Sequence, residues 1–300
     1  ALPIFAGEAS VLSPEMQTAL RRQGFDDSLG KTLPMLMQTS NGMENILIAG
    51  LGERPDLSPR RCRRFGAKLA DALRDHTAVL LRTKDIFPGT RPDDRALLHI
   101  LSGYCSRQYS FDNYRAPEKS CPPQRLIVED PGADHLAALW NTQGRVIDAV
   151  HRVKQLVSTP PNVLYPESMA DMALQLREFG LDVEVLDEKE LERQGMGALL
   201  GVGQGSARPP RLVILRWQGH SDPSCPPVVV AGKGITFDSG GLSIKTRPNM
   251  RGMKHDMAGA AVVFELLRCV AENHLPINVV GLLALAENMP SGHALDRKST

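Results

Sequence analysis

Apolar runs of strand length alternate with segments of helical spacing along most of this 300-residue chain. That alternation limits its folds more than any other feature. The first clear strand is NILIAGLGE, from Asn45. In SPRRCRRFGAKLADALRDH, Ser58 can cap a helix, Pro59 suits its first position, and Phe65, Leu69, Ala70 and Leu73 recur at helical spacing. A strand from Thr77 (TAVLLR), a helix over about Asp94 to Tyr109 and a strand from Gln124 (QRLIVED) follow. Strands interleaved with helices predict an α/β domain with a mainly parallel sheet.

A long helical pattern then runs from about Asp134 to Val157 and stops at STPPN, where Pro160 and Pro161 cannot continue a helix. The domain boundary is placed in or beside it, giving an N-terminal α/β domain over 1–140 and a second α/β domain over 141–300. The second half reads as a helix from Glu167, a strand from Leu181, a glycine-rich segment, and the strands RLVILRW and PPVVVAGKG. A helix after Asp256 and a strand from Ile277 complete it.

Composition narrows the partners. Hydrophobic residues make up 42% and charged residues 23%, with a formal net charge of +1, which gives no broad field for nucleic acid. The basic stretch RRCRRFGAK is read as the solvated face of an amphipathic helix. No uncharged apolar run reaches spanning length, and ALPIFAGEASVLSPEM lacks the pattern of a signal peptide, so a cytoplasmic protein without a membrane partner is expected. The five cysteines, Cys62, Cys105, Cys121, Cys225 and Cys269, are scattered without CxxC spacing and are expected to be reduced. No HExxH or GxSxG is present.

Chemistry concentrates in AGKGITFDSGGLSIK, Ala231 to Lys245. GVGQG at Gly201 to Gly205 is followed by ARPPR and opens no helix, so it is read as a flexible loop and not as a dinucleotide site. GKG at Gly232 to Gly234 lacks the phosphate-loop spacing. Two readings remain. In one, Lys233 at the carboxyl end of its strand, Asp238 in the following loop and Asp256 at the start of the next helix converge on a divalent cation, the lysine as neutral amine. In the other, Lys233 and Asp238 pair across a turn and Asp256 caps the helix. Gly240 and Gly241 allow the chain to turn back so that Lys245 enters the same crevice.

GKGITFDSGGLSIK followed by MRGMKHDMAGAA resembles the signature of the leucyl aminopeptidase (cytosol aminopeptidase) family of two-metal metallopeptidases. LVSTPPNVLYPESMA, GMGALLGVGQGSARPPRLVILRW and AENMPSG are similar to the same family in the same order. The resemblance implies an N-terminal α/β domain and a peptidase domain with a central mixed, mainly parallel sheet. It also implies Lys233 and Asp256 on one metal, Asp238 bridging two, Lys245 as the catalytic lysine and Met253 at the substrate's first side chain. The implied reaction is release of N-terminal residues, leucine preferred, from peptides by a hydroxide activated by two Mn²⁺ or Zn²⁺ ions, in a hexamer.

The sequence departs from the family pattern at its end: no NTDAEGR-like segment, which in the family supplies further metal ligands and an arginine, occurs before Thr300. The peptidase domain is therefore expected to be incomplete, to hold at most one metal and to show little activity by itself. A truncated, non-catalytic binding or assembly protein is the alternative. The strand from Ile277 is expected to face a missing neighbour.

Overall fold

Helix propensity and strand pairing build two units, Ala1–Ile147 and Asp148–Thr300, in the computed structural model. It describes residues 2–5, 14–26, 28, 31–39, 42–52, 58–74, 78–82, 93–114, 116, 125–130 and 132–294. Among these residues no helix is long and apolar enough to cross a membrane. Cys62, Cys105, Cys225 and Cys269 form no disulfide, and Cys121 lies outside the described residues.

In the first unit, β1 (Leu2–Phe5), α1 (Pro14–Arg22) and β2 (Thr32–Thr39) precede β3 (Gly42–Gly52), the first strand expected from the sequence. β2 carries Pro34, and α1, though Met16, Ala19 and Leu20 recur at helical spacing, is only nine residues long, so neither stands out in the sequence. β3 pairs parallel with β1 and antiparallel with β2. Next come α2 (Pro59–Ala72), β4 (Ala78–Arg82), α3 (Asp94–Arg107) and β5 (Arg125–Glu129), with β4 and β5 parallel.

Ser58 Oγ accepts from Arg61 N at the start of α2, and Pro59 takes the first turn, as the sequence predicts. The arginines of RRCRRFGAK are exposed while Cys62, Phe65 and Leu69 are buried against Leu97, Ile100 and Tyr104 of α3. Burial pushes the Cys62 thiol up and the Tyr104 phenol to about 12, because neither charged form is solvated there. The two helices cross at glycines: a Cβ on Gly66 would lie 1.9 Å from Ile100 O, and one on Gly103 would lie 2.0 Å from Arg63 O.

α4 (Ala133–Ser158) places Leu136 in the core of the first unit and Leu156 in that of the second. The second unit then runs α5 (Pro166–Gln175), β6 (Asp182–Leu186), α6 (Glu188–Arg193), α7 (Gly197–Gly203), β7 (Arg211–Gln218), β8 (Val228–Asp238), α8 (Arg247–Met250), α9 (Ala258–Glu272) and β9 (Asn278–Asn288). Its sheet is mixed, in the order β6-β7-β9-β8, with β8 parallel to β9 and the other pairs antiparallel. Two expectations are corrected. The segment holding GVGQG is partly helical, because α7 takes up Gly201 to Gly203. β9 lies between β7 and β8, so the strands of this sheet with one hydrogen-bonded neighbour among the described residues are β6 and β8, and Val228 and Val229 of β8 are 58% and 59% exposed.

α9 buries Ala260, Ala261, Val263, Phe264, Leu267 and Val270 with Met169, Ala173, Val213, Leu215, Leu283 and Leu285. Polar contacts anchor it as well: Arg152 of α4 donates to Glu265 at 2.6 Å and Glu272 at 3.3 Å. Glu265 is only 3% exposed, and burial raises its carboxyl even with Arg152 beside it.

Two measurements check this packing. Gly66→Ala is expected to destabilise the first unit by about 2 kcal/mol, the strain of forcing the helices apart exceeding the helical preference for alanine. Urea melts, and faster labelling of the otherwise protected Cys62 thiol, read this out; an unchanged midpoint would count against the crossing. Arg152→Met strands the Glu265 carboxyl and is expected to cost about 2 kcal/mol, less than a fully buried pair because Arg152 is part-exposed. A loss under ~0.5 kcal/mol would show the pair to be dispensable.

Candidate functional site

The site is built where β8 and β9 end together. Lys233 is mid-strand, not at the strand end, and Asp238 is the last residue of β8, not a loop residue. The ladder runs Lys233↔Ala284 and Ile235↔Ala286 and then shifts to Asp238↔Asn288. β8 thus spends one more residue than β9, a bulge that resets the alternation of side chains. Ala284 and Asn288 are four apart on β9 and share a face, so Lys233 and Asp238 share it too, although five residues apart.

Glycines flanking Lys233 serve packing. A Cβ on Gly232 would lie 2.5 Å from Gly259 O, and one on Gly234 would lie 3.1 Å from the Ala260 Cβ. The small residues of MAGAA thus bring the start of α9 onto β8, and Ile235 N donates to Asp256 O at 3.3 Å along the strand. Asp256 does not cap α9, whose N-cap is Met257; it closes a short 3-10 turn over Met253–His255.

The ion pairs differ from the turn pairing considered from the sequence. Lys233 Nζ lies 2.9 Å from Asp256 Oδ2, and Lys245 Nζ donates to Asp238 Oδ2 at 2.6 Å. Lys245 Nζ also reaches Met253 Sδ at 3.0 Å, which links the two pairs. Gly240 and Gly241, at φ of 91° and 64°, turn the loop so that Lys245 N meets Ser239 O at 2.8 Å. Asp238 Oδ1 accepts from Gly240 N at 2.9 Å and Asn288 Nδ2 at 2.8 Å. Burial alone would raise the Asp238 carboxyl, but these donors and the Lys245 ammonium hold it below the usual aspartate range.

Asn288 was not singled out from the sequence; only its place in AENMPSG hinted at it. Its neighbour Glu287 faces the other way and is 7% exposed. Glu287 accepts from Arg208 Nη1 at 2.8 Å and from the Ser206 hydroxyl. Arg208 also donates to Pro161 O at 2.7 Å and lies over the Tyr165 ring. One arginine therefore ties together STPPN, GSARPP and AENMPSG, around a cavity of about 280 Å³ that Phe237 and Met289 also line.

Donor chemistry tests whether a metal fits. Asp256 Oδ2 is buried and has no hydrogen-bond donor, since Lys233 stands at ion-pair distance without hydrogen-bond alignment. A buried carboxylate oxygen without a hydrogen-bond donor, beside an amine, suits a hard dication. No three His, Cys, Asp or Glu side chains among the described residues cluster to hold a metal, so any such set includes the Lys233 amine.

Residues 151–299 match the family model "Cytosol aminopeptidase family, catalytic domain", and residues 9–118 match "Cytosol aminopeptidase family, N-terminal domain". A protein of Brucella anthropi named "Probable cytosol aminopeptidase" is 36% identical over 96% of this chain and 59% of its own length. One of the same name from Nitrobacter hamburgensis is 39% identical over 90% of this chain and 54% of its own. The chain thus spans little more than half of these relatives. Among solved structures, "Bottromycin maturation enzyme BotP in complex with Mn" superposes with a TM-score of 0.81 at 31% identity, covering 98% of this chain and 60% of that one. Matched in both its N-terminal and its catalytic domain, the chain belongs to the cytosol aminopeptidase family.

Proposed function

We propose that this chain carries one side of the catalytic centre of a cytoplasmic metalloaminopeptidase that releases N-terminal residues, leucine preferred, from peptides. The observation that carries this reading is the buried Asp256 Oδ2 without a hydrogen-bond donor, set 2.9 Å from Lys233 Nζ and linked through Met253 and Lys245 to Asp238. Lys233, Asp238 and Asp256 are the residues that would hold a divalent ion, and the manganese complex of the BotP neighbour supports metal binding in general. A divalent ion bound there supplies Lewis acidity toward the peptide carbonyl and the attacking water.

The chain's own groups do the positioning. Asp238, whose carboxyl its three donors hold below the usual aspartate range, is ready to accept a cation. An ammonium has three N–H donors; Lys245 directs one to Asp238 and one to Met253, which leaves the third to stabilise negative charge on a carbonyl oxygen. Met253 offers a polarizable apolar wall for a leucine or methionine side chain. With three donors in the set, the 300-residue chain is expected to bind one ion loosely and to turn over little.

Mn²⁺ titrations followed by electron paramagnetic resonance test the assignment. Asp256→Asn is expected to weaken binding by about tenfold or more. Lys245→Met is expected to bind at least as tightly as the parent chain, because it removes the cation that competes for Asp238 Oδ2. Absence of Mn²⁺ binding by the parent chain would defeat the metal reading. Hydrolysis of leucyl-p-nitroanilide by the 300 residues at roughly 1 s⁻¹ or faster would overturn the argument from donor number.

A further inference from the structure

We infer that Asn288 is a positioning residue for this site: its side-chain amide fixes the Asp238 carboxylate in the orientation in which it meets a cation. The inference rests on the metal reading above and adds to it a residue from β9, outside the segment that carries the lysines and aspartates.

Four observations converge on it. First, the register shift in β8 places Asp238 directly opposite Asn288 at the common end of the two strands. Cross-strand neighbours on one face are within reach of each other's short polar side chains. Second, Asn288 Nδ2 donates to Asp238 Oδ1 at 2.8 Å, while Lys245 takes the other oxygen, Oδ2. The carboxylate is thereby gripped at both ends, and its plane is set by one neutral donor and one charged donor.

Third, the Asn288 main chain is held independently of its side chain. Its carbonyl accepts from Ser239 N at 3.0 Å and from Ser239 Oγ at 2.7 Å. Fourth, the loop leaves room for the amide: a Cβ on Gly241 would lie 2.7 Å from Asn288 Oδ1. The amide is thus squeezed between the turn and the aspartate, with its NH₂ toward the carboxylate. An aspartate here would set a second anion against Asp238, and a lysine would add a competing cation. Asparagine supplies a donor without net charge, so the carboxylate is oriented while its negative charge stays available.

Loss of groups that orient metal ligands typically weakens metal affinity ten- to a hundredfold. The test compares the parent chain with Asn288→Ala by Mn²⁺ titration under electron paramagnetic resonance, alongside metal-free thermal melts. Asn288→Ala is expected to bind Mn²⁺ about tenfold or more weakly, to melt in metal-free buffer within about 3 °C of the parent, and to give the Mn²⁺ it still binds an altered line shape. The small melting shift follows because the Ser239 contacts use only the main chain of residue 288. Asn288→Val, which suits a strand but has no donor, is expected to show the same loss and stands in if the alanine variant does not fold. Binding within twofold of the parent in either folded variant overturns the role of Asn288 while leaving the metal reading intact. A parent chain that binds no Mn²⁺ overturns both.

Discussion

One extra residue in β8 decides whether this site exists. In an unbroken strand, residues five apart point to opposite faces, and Lys233 and Asp238 would be separated by the sheet. Between Ile235 and Asp238 the strand spends three steps where β9 spends two, and Thr236 and Phe237 are buried in succession where alternation would bury only one. The shift turns Asp238 onto the face of Asn288. Without it, Asp238 would share the opposite face with Glu287, whose carboxylate is already engaged by Arg208 and Ser206. Bulges of this kind commonly re-aim one side chain beside a functional site.

The second constraint is steric. Asp256 can meet Lys233 only because the start of α9 presses onto β8, and that approach is closed to any side chain larger than hydrogen at Gly232. Main-chain contact from Ile235 to Asp256 then fixes the height of the carboxylate along the strand. Glycine-rich sequence near a lysine invites a phosphate-loop interpretation. Here the glycines admit a helix, and the anions are supplied by the protein itself.

Most of the element order was legible in the sequence because long periodic segments announce themselves: α2 with its Ser58 cap, α4, α9 and β9 lie close to their expected places. β1, α1 and β2 were missed, since a four-residue strand, a nine-residue helix and a proline-bearing strand are too short or too irregular to stand out. The chemical residues were legible as types. Their partners were not: the sequence offered Lys233 with Asp238, whereas the fold pairs Lys233 with Asp256 and Asp238 with Lys245. A bulge and a reversed loop carry no spacing rule that would have told these apart. Asn288 was hidden for the same reason, because its significance lies in strand register and not in its neighbours along the chain.

The two lysines differ in a way that bears on their chemistry. Lys233 has a side chain 62% exposed and a single anionic neighbour, without hydrogen-bond alignment. Lys245 is 30% exposed and donates both to an aspartate and to a thioether. A neutral amine has two N–H groups, and these two contacts would consume both, whereas the ammonium keeps one more to offer to substrate. Fold geometry thus separates the two amines: Lys233 meets a single carboxylate from an exposed position, whereas Lys245 is held between a carboxylate and a thioether.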